Sequence, residues 1–174
     1  MTPAHPAPLP YLGDAPPHVR TQIRDAFYAW LQDPAHQTRQ ITGKLYAQTD
    51  HGPRCCAFGA LLMTLETYGY AQLHPGSEAG VTLRLSGLDP DTDPDTHTDA
   101  AVVRQLSETG SVIGVWPQLS AYPEELATLL GLGCSIDHLT LLNDHDHSEH
   151  RGPLGFAEIA AYLQCRDAGM EGGQ

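Results

Sequence analysis

Residues 55–65 read Cys55-Cys56-Ala57-Phe58-Gly59-Ala60-Leu61-Leu62-Met63-Thr64-Leu65. Phe58, Leu61, Leu62 and Leu65 follow the i, i+3, i+4, i+7 spacing of a helix that buries one face. The spacing predicts a core helix from near Cys55 to about residue 68, and Tyr68-Gly69-Tyr70 supplies its stop. Gly59 falls inside the buried stripe. A helix-interior glycine costs ~1 kcal/mol relative to alanine, so close approach of another backbone is the expected reason for it.

Upstream, Pro16-Pro17 leads into a second amphipathic pattern with Val19, Ile23, Ala26, Phe27, Trp30 and Leu31 on one face, ended by Asp33-Pro34. The polar stretch through Arg39, Gly43 and Leu45 reads as a short extended or hairpin segment, with a turn at His51-Gly52-Pro53. Downstream, Val81, Leu83 and Leu85 alternate as in a strand. Asp89 to Asp99 is so rich in Asp and Pro that it reads as an acidic loop, at about 86–99. Thr98 or Asp99 is the expected cap of a short helix carrying Val102, Val103 and Leu106, stopped by Gly110. Val112, Ile113, Val115 and Trp116 form an apolar patch read as another strand. Two further helices are expected: one from Pro123 with Leu126, Leu129 and Leu130 inward and Gly131 at its end, the other with Phe156, Ile159, Ala160 and Leu163 on one face.

The predicted fold class is therefore mainly α, an α+β arrangement with a minor β element. Its helices, near 17–32, 55–68, 98–108, 122–131 and 154–166, form a compact single-layered core with a short hairpin or small sheet. Residues 1–15 are expected to be a flexible Pro-rich arm, 16–168 a single globular domain and 169–174 a frayed tail.

Charge narrows the function classes. The chain has 21 acidic against 9 basic residues, a formal net charge of −12, and Lys44 is its one lysine. Such a chain is poorly suited to gripping a phosphate backbone or an anionic membrane surface. A basic protein surface or a metal cation fits the charge better. No apolar run approaches a membrane span, and residues 1–10 lack the charged and apolar regions of a signal peptide. The four cysteines form no CxxC pair. Reduced thiols and a soluble, cytoplasmic protein are the expectation.

Several motifs occur together in a fixed order: Gly43-Lys44-Leu45, Cys55-Cys56-Ala57-Phe58-Gly59, Tyr122-Pro123-Glu124-Glu125-Leu126, Leu142-Asn143-Asp144 and Phe156-Ala157-Glu158-Ile159-Ala160. This order resembles a family of small bacterial and phage domains of unknown function, found in actinobacterial and Deinococcus-type genomes. The family carries a Cys-Cys-x-x-Gly helix and a Leu-Asn-Asp…Phe-x-Glu-Ile-Ala motif. The resemblance covers roughly residues 17–70 and 120–165. Two segments depart from it by their length, Ala71 to Ser120 and the loop between Asp144 and Phe156. The resemblance implies a shared architecture and no reaction.

Three groups could carry chemistry. His145, His147 and His150 with Asp144 combine imidazole and carboxylate in the loop 143–150, a donor set suited to a divalent metal such as zinc, nickel or iron. The same residues also read as a solvated loop. Asn143 and Asp144 read as an Asx-turn or helix cap, or, for Asp144, as a general base. Cys55 and Cys56 stand where a helix N-terminus lowers a thiol pKa, so a Cys-His-Asp relay can be drawn with Asp144. They read equally as small buried core residues. The alternating Asp89, Asp91, Asp93 and Asp95 lack the glycine and terminal glutamate of a calcium loop.

The expected function is a non-catalytic accessory or interaction module rather than an enzyme. A metal-binding protein of hydrolase-like or sensing type is the alternative, and a Cys-dependent enzyme the second alternative.

Overall fold

The computed structural model describes residues 9–42, 46–74, 78–83, 101–106, 112–115, 124–144 and 153–171. Pro17 occupies the first position of helix α1 (Pro17–Gln32), where its missing N–H leaves no bond unmade. The helix buries Ile23, Phe27, Tyr28 and Leu31. Asp33 then caps a 3-10 turn, Pro34–Arg39, by accepting the Ala35 N–H at 2.8 Å. Strands β1 (Tyr46–Thr49) and β2 (Gly52–Cys55) form an antiparallel hairpin with Thr49 opposite Gly52. Gly52 has φ +100, while Asp50 and His51 keep negative φ. A glycine is required there because the backbone must enter the left-handed region to rejoin the ladder.

Helix α2 (Ala57–Thr67) is buried over most of its circumference, from Ala57 through Leu62 and again at Thr64 and Leu65. α1, α4 (Ile136–Asp144) and the strand that follows α2 all pack against it. Its C-terminus turns at Gly69, φ +80, where the Tyr70 N–H bonds to Leu65 O at 2.9 Å and the Gly69 N–H to Glu66 O at 2.9 Å. These two hydrogen bonds satisfy carbonyls the helix leaves open. α3 (Glu124–Leu130) ends the same way at Gly131.

Four antiparallel strands follow in sequence order: β3 (Ala71–His74), β4 (Glu78–Leu83), β5 (Ala101–Leu106) and β6 (Val112–Val115). The pair Ala71↔Leu83 lies at the buried end, with Ala71 and Leu83 both in the core. The Leu73 N–H also bonds to Glu66 Oε1 at 2.8 Å, tying β3 to α2.

β5 corrects the expected helix at 98–108. Val102 and Val103 read as an apolar helical face, but the segment pairs on both sides, Val103 with Val81 and Val102 with Val115. β-branched residues favour a pleated surface, and pairing partners distant in sequence decide the conformation. β4 begins at Glu78, earlier than the alternation at 81–85 suggests. The acidic loop at 86–99 lies outside the described residues.

Helix α4 has no counterpart in the predicted set. Ser135 starts it, its Oγ accepting the His138 N–H at 3.0 Å, and Ile136, Leu139 and Leu142 face inward. α5 (Phe156–Glu171) runs past the expected fraying point at residue 169. Toward the other terminus, Leu12, in a 3-10 turn at Leu12–Asp14, is 0% exposed, and Ala15 beside it is buried.

The fold is mainly helical. All three phenylalanines, Phe27 on α1, Phe58 on α2 and Phe156 on α5, are fully buried in one cluster. Each contributes about 1.5–3 kcal/mol of apolar burial to the shared core.

Candidate functional site

The structure gathers Cys55, Cys56, Asn143 and Asp144 around the start of α2, and adds a residue the motifs do not indicate, Gln40. Asn143 is 0% exposed at the end of α4. Its Oδ1 accepts the Ala57 N–H at 3.0 Å and Gln40 Nε2 at 3.0 Å. Its Nδ2 donates to Ile41 O at 2.8 Å and to Asp144 Oδ1. The amide thereby makes four hydrogen bonds, its full capacity, and is spent on structure.

Asn143 and Asp144 therefore end one helix instead of preceding the next. Asn143 is a cap, but for α2, which lies 86 residues away in sequence. An unpaired amide in this interior would cost about 1–3 kcal/mol, so the network makes the meeting of α2, α4 and α5 specific.

Gln40 extends the junction. Its Nε2 also donates to Leu154 O at 2.7 Å, and its Oε1 accepts the Phe156 N–H at 3.1 Å. Gln37 Oε1 accepts the next free N–H of α5, at Ala157, at 3.2 Å. Glu158 reaches back to the Gly155 N–H at 2.9 Å, the glutamate half of a capping box. The N-termini of α2 and α5 are thus both capped by side chains from elsewhere in the fold. No local spacing announces this role for Gln40, because its partners come from residues 143–156.

Cys56 is the N-cap residue of α2. Its Sγ accepts the Gly59 N–H at 3.4 Å. A helix N-terminus stabilises a thiolate, but burial opposes it. Here burial wins: the Cys56 thiol is pushed up to about 12, against the Gly59 N–H bond and with added repulsion from Asp144. Cys55, 1% exposed, is likewise pushed up to about 12 by burial and by Cys56, against the opposing charge of Arg39. Neither thiol in this placement has the thiolate population that a nucleophile uses at neutral pH. Cys55, Cys56 and Cys165 are free thiols, and Cys165 is exposed.

His145, His147 and His150 lie outside the described residues; Asp144, their proposed co-ligand, is described and half-buried. Among the described residues no group of three His, Cys, Asp or Glu side chains is placed to hold a metal ion. No helix among them is long and apolar enough to cross a membrane. Comparison with family models, curated proteins and solved structures finds no match to this chain.

Proposed function

We propose that this protein is a non-catalytic interaction module that docks on a basic protein surface. The observation that carries this reading is the use to which its reactive groups are put: Asn143 makes its four hydrogen bonds within the fold, and Cys55 and Cys56 are buried, protonated core residues. The formal net charge of −12 supplies the complementarity. Free cysteines fit a reducing, cytoplasmic setting. The resemblance to small actinobacterial and phage domains belongs to the same proposal, since its Cys-Cys-x-x-Gly and Leu-Asn-Asp elements supply the residues of the interior junction.

Isolation of the tagged chain from native lysate at stepped ionic strength tests the reading. A basic partner that co-purifies at low salt and dissociates as salt rises is expected. Recovery of the chain alone at every ionic strength overturns it. So does about one equivalent of metal per chain that disappears in His147→Ala, a result that favours the metal-binding alternative.

A further inference from the structure

Two adjoining clefts, of 480 and 520 Å³, flank the β1–β2 hairpin and share Thr49 and Arg54. The larger is also lined by Thr38 and Arg39 from the 3-10 turn and by His51 from the hairpin turn. Among the described residues no carboxylate lines either one. Asp50, the nearest acid in sequence, is exposed in the turn and lines neither.

We propose that these clefts form one binding site for a small phosphate monoester. The guanidinium groups of Arg39 and Arg54 bind the phosphate, and His51 and the Thr38 hydroxyl contribute further hydrogen bonds.

Acids outnumber bases by 21 to 9 in this chain, so carboxylate partners are plentiful. Arg24 has two of them, Asp25 and Asp167. Among the described residues, neither Arg39 nor Arg54 has a carboxylate within ion-pair distance, although both line the same cleft. Arg54 is held in position because its Nη2 donates to Gln40 O at 3.1 Å, and among the described residues the remaining donors of its planar fork have no partner. Arg39 makes no hydrogen bond among the described residues, yet its backbone is held by the interior anchoring of Gln40 beside it. Thr49 Oγ1 donates to Gly52 O at 2.7 Å and accepts the His51 N–H at 3.3 Å, which steadies the turn that carries His51.

Donors therefore reach the cleft from the 3-10 turn, the hairpin turn and β2. A tetrahedral dianion offers oxygens in several directions and suits such an array better than a planar carboxylate does. The net charge of −12 selects for size. It repels a polynucleotide, whose charges extend across the molecule. A small ligand feels chiefly the charges within a screening length of about 8 Å at physiological salt. The volumes match those of small-molecule sites, roughly 300–1,000 Å³.

Calorimetric titration of the full chain tests the site, with inorganic phosphate, glycerol phosphate, succinate and a single-stranded DNA oligonucleotide as probes. Saturable, mutually competitive binding of phosphate and glycerol phosphate is expected, with the monoester tighter and succinate weaker than both. Arg39→Gln should weaken the monoester about tenfold, as loss of a charge-assisted hydrogen bond does. Arg166→Gln, outside the clefts, should leave binding unchanged. The Arg39 side chain makes no hydrogen bond to the rest of the described fold, so an unaltered melting curve for Arg39→Gln separates lost binding from lost folding. Absence of saturable binding by either phosphate probe, equal affinity in Arg39→Gln, succinate as tight as phosphate, or DNA tighter than the monoester each overturns the proposal.

Discussion

Arg39 and Gln40 are adjacent in the chain, but their side chains meet opposite fates. Gln40 reaches inward, where its amide joins Asn143, Leu154 and Phe156. The Arg39 side chain lines a surface cleft and makes no hydrogen bond among the described residues. The amides of Gln40 and Asn143 are paired because burial penalises a polar group that is not. At the cleft, water can satisfy a guanidinium until a ligand replaces it. A motif search singles out Asn143 and the two cysteines, yet these stand on the structural side of that divide. The groups open to a ligand are Arg39, His51 and Arg54, which no motif marks.

If this contrast is right, the largest effect comes from the interior. Asn143→Ala leaves the Ala57 N–H and Ile41 O without their partner and should cost about 3 kcal/mol in urea denaturation. A loss under about 1 kcal/mol would show that the junction does not hold the helices together. Gly133→Ala should cost about 2 kcal/mol, because its Cβ would come within 2.9 Å of Leu163 O, a backbone atom that cannot swing aside.

The pH dependence of stability follows from the thiols. Their folded values lie above the ordinary 9.0, at about 12. The unfolded chain therefore ionises first, and the fold loses protection gradually between pH 9 and 12, after a full contribution below 9. Burial raises Tyr28 as well, which adds to the loss in the same direction. Denaturation at pH 7, 9 and 10.5 should show the decline, and Cys55→Ala should flatten it. Arg39→Gln stands at the other end of the scale and should change stability by no more than about 0.5 kcal/mol. A large loss there would move Arg39 from the ligand side of the contrast to the structural side.

Much of the helical frame is legible in the sequence. Pro17, the Phe58-to-Leu65 stripe, and the stops at Gly69 and Gly131 each act through contacts within one or two helical turns, so local pattern suffices to place α1, α2 and α3. α4 carried a readable signal, with Ser135 as cap and Ile136, Leu139 and Leu142 as its inner face. The loop reading of Asn143-Asp144 obscured that signal. β5 was not readable in the same way, since Val102 and Val103 satisfy a short helical face as well as a strand, and only pairing with β4 and β6 separates the two.

The Cys-Cys-x-x-Gly helix is the element on which both levels meet. Sequence by itself determined a helix near residues 55–68 that buries Phe58, Leu61, Leu62 and Leu65, because apolar periodicity is a local property that hydrophobic burial reads directly. It also determined the acidity that shapes the choice of partner. Tertiary structure alone decided that the cysteines are protonated core residues, since a thiol pKa depends on what surrounds it on every side. It alone decided that Asn143 caps a helix 86 residues distant and that Arg39, Arg54 and His51 share a cleft. Those relations join residues far apart along the chain, and they exist only once the apolar faces have packed.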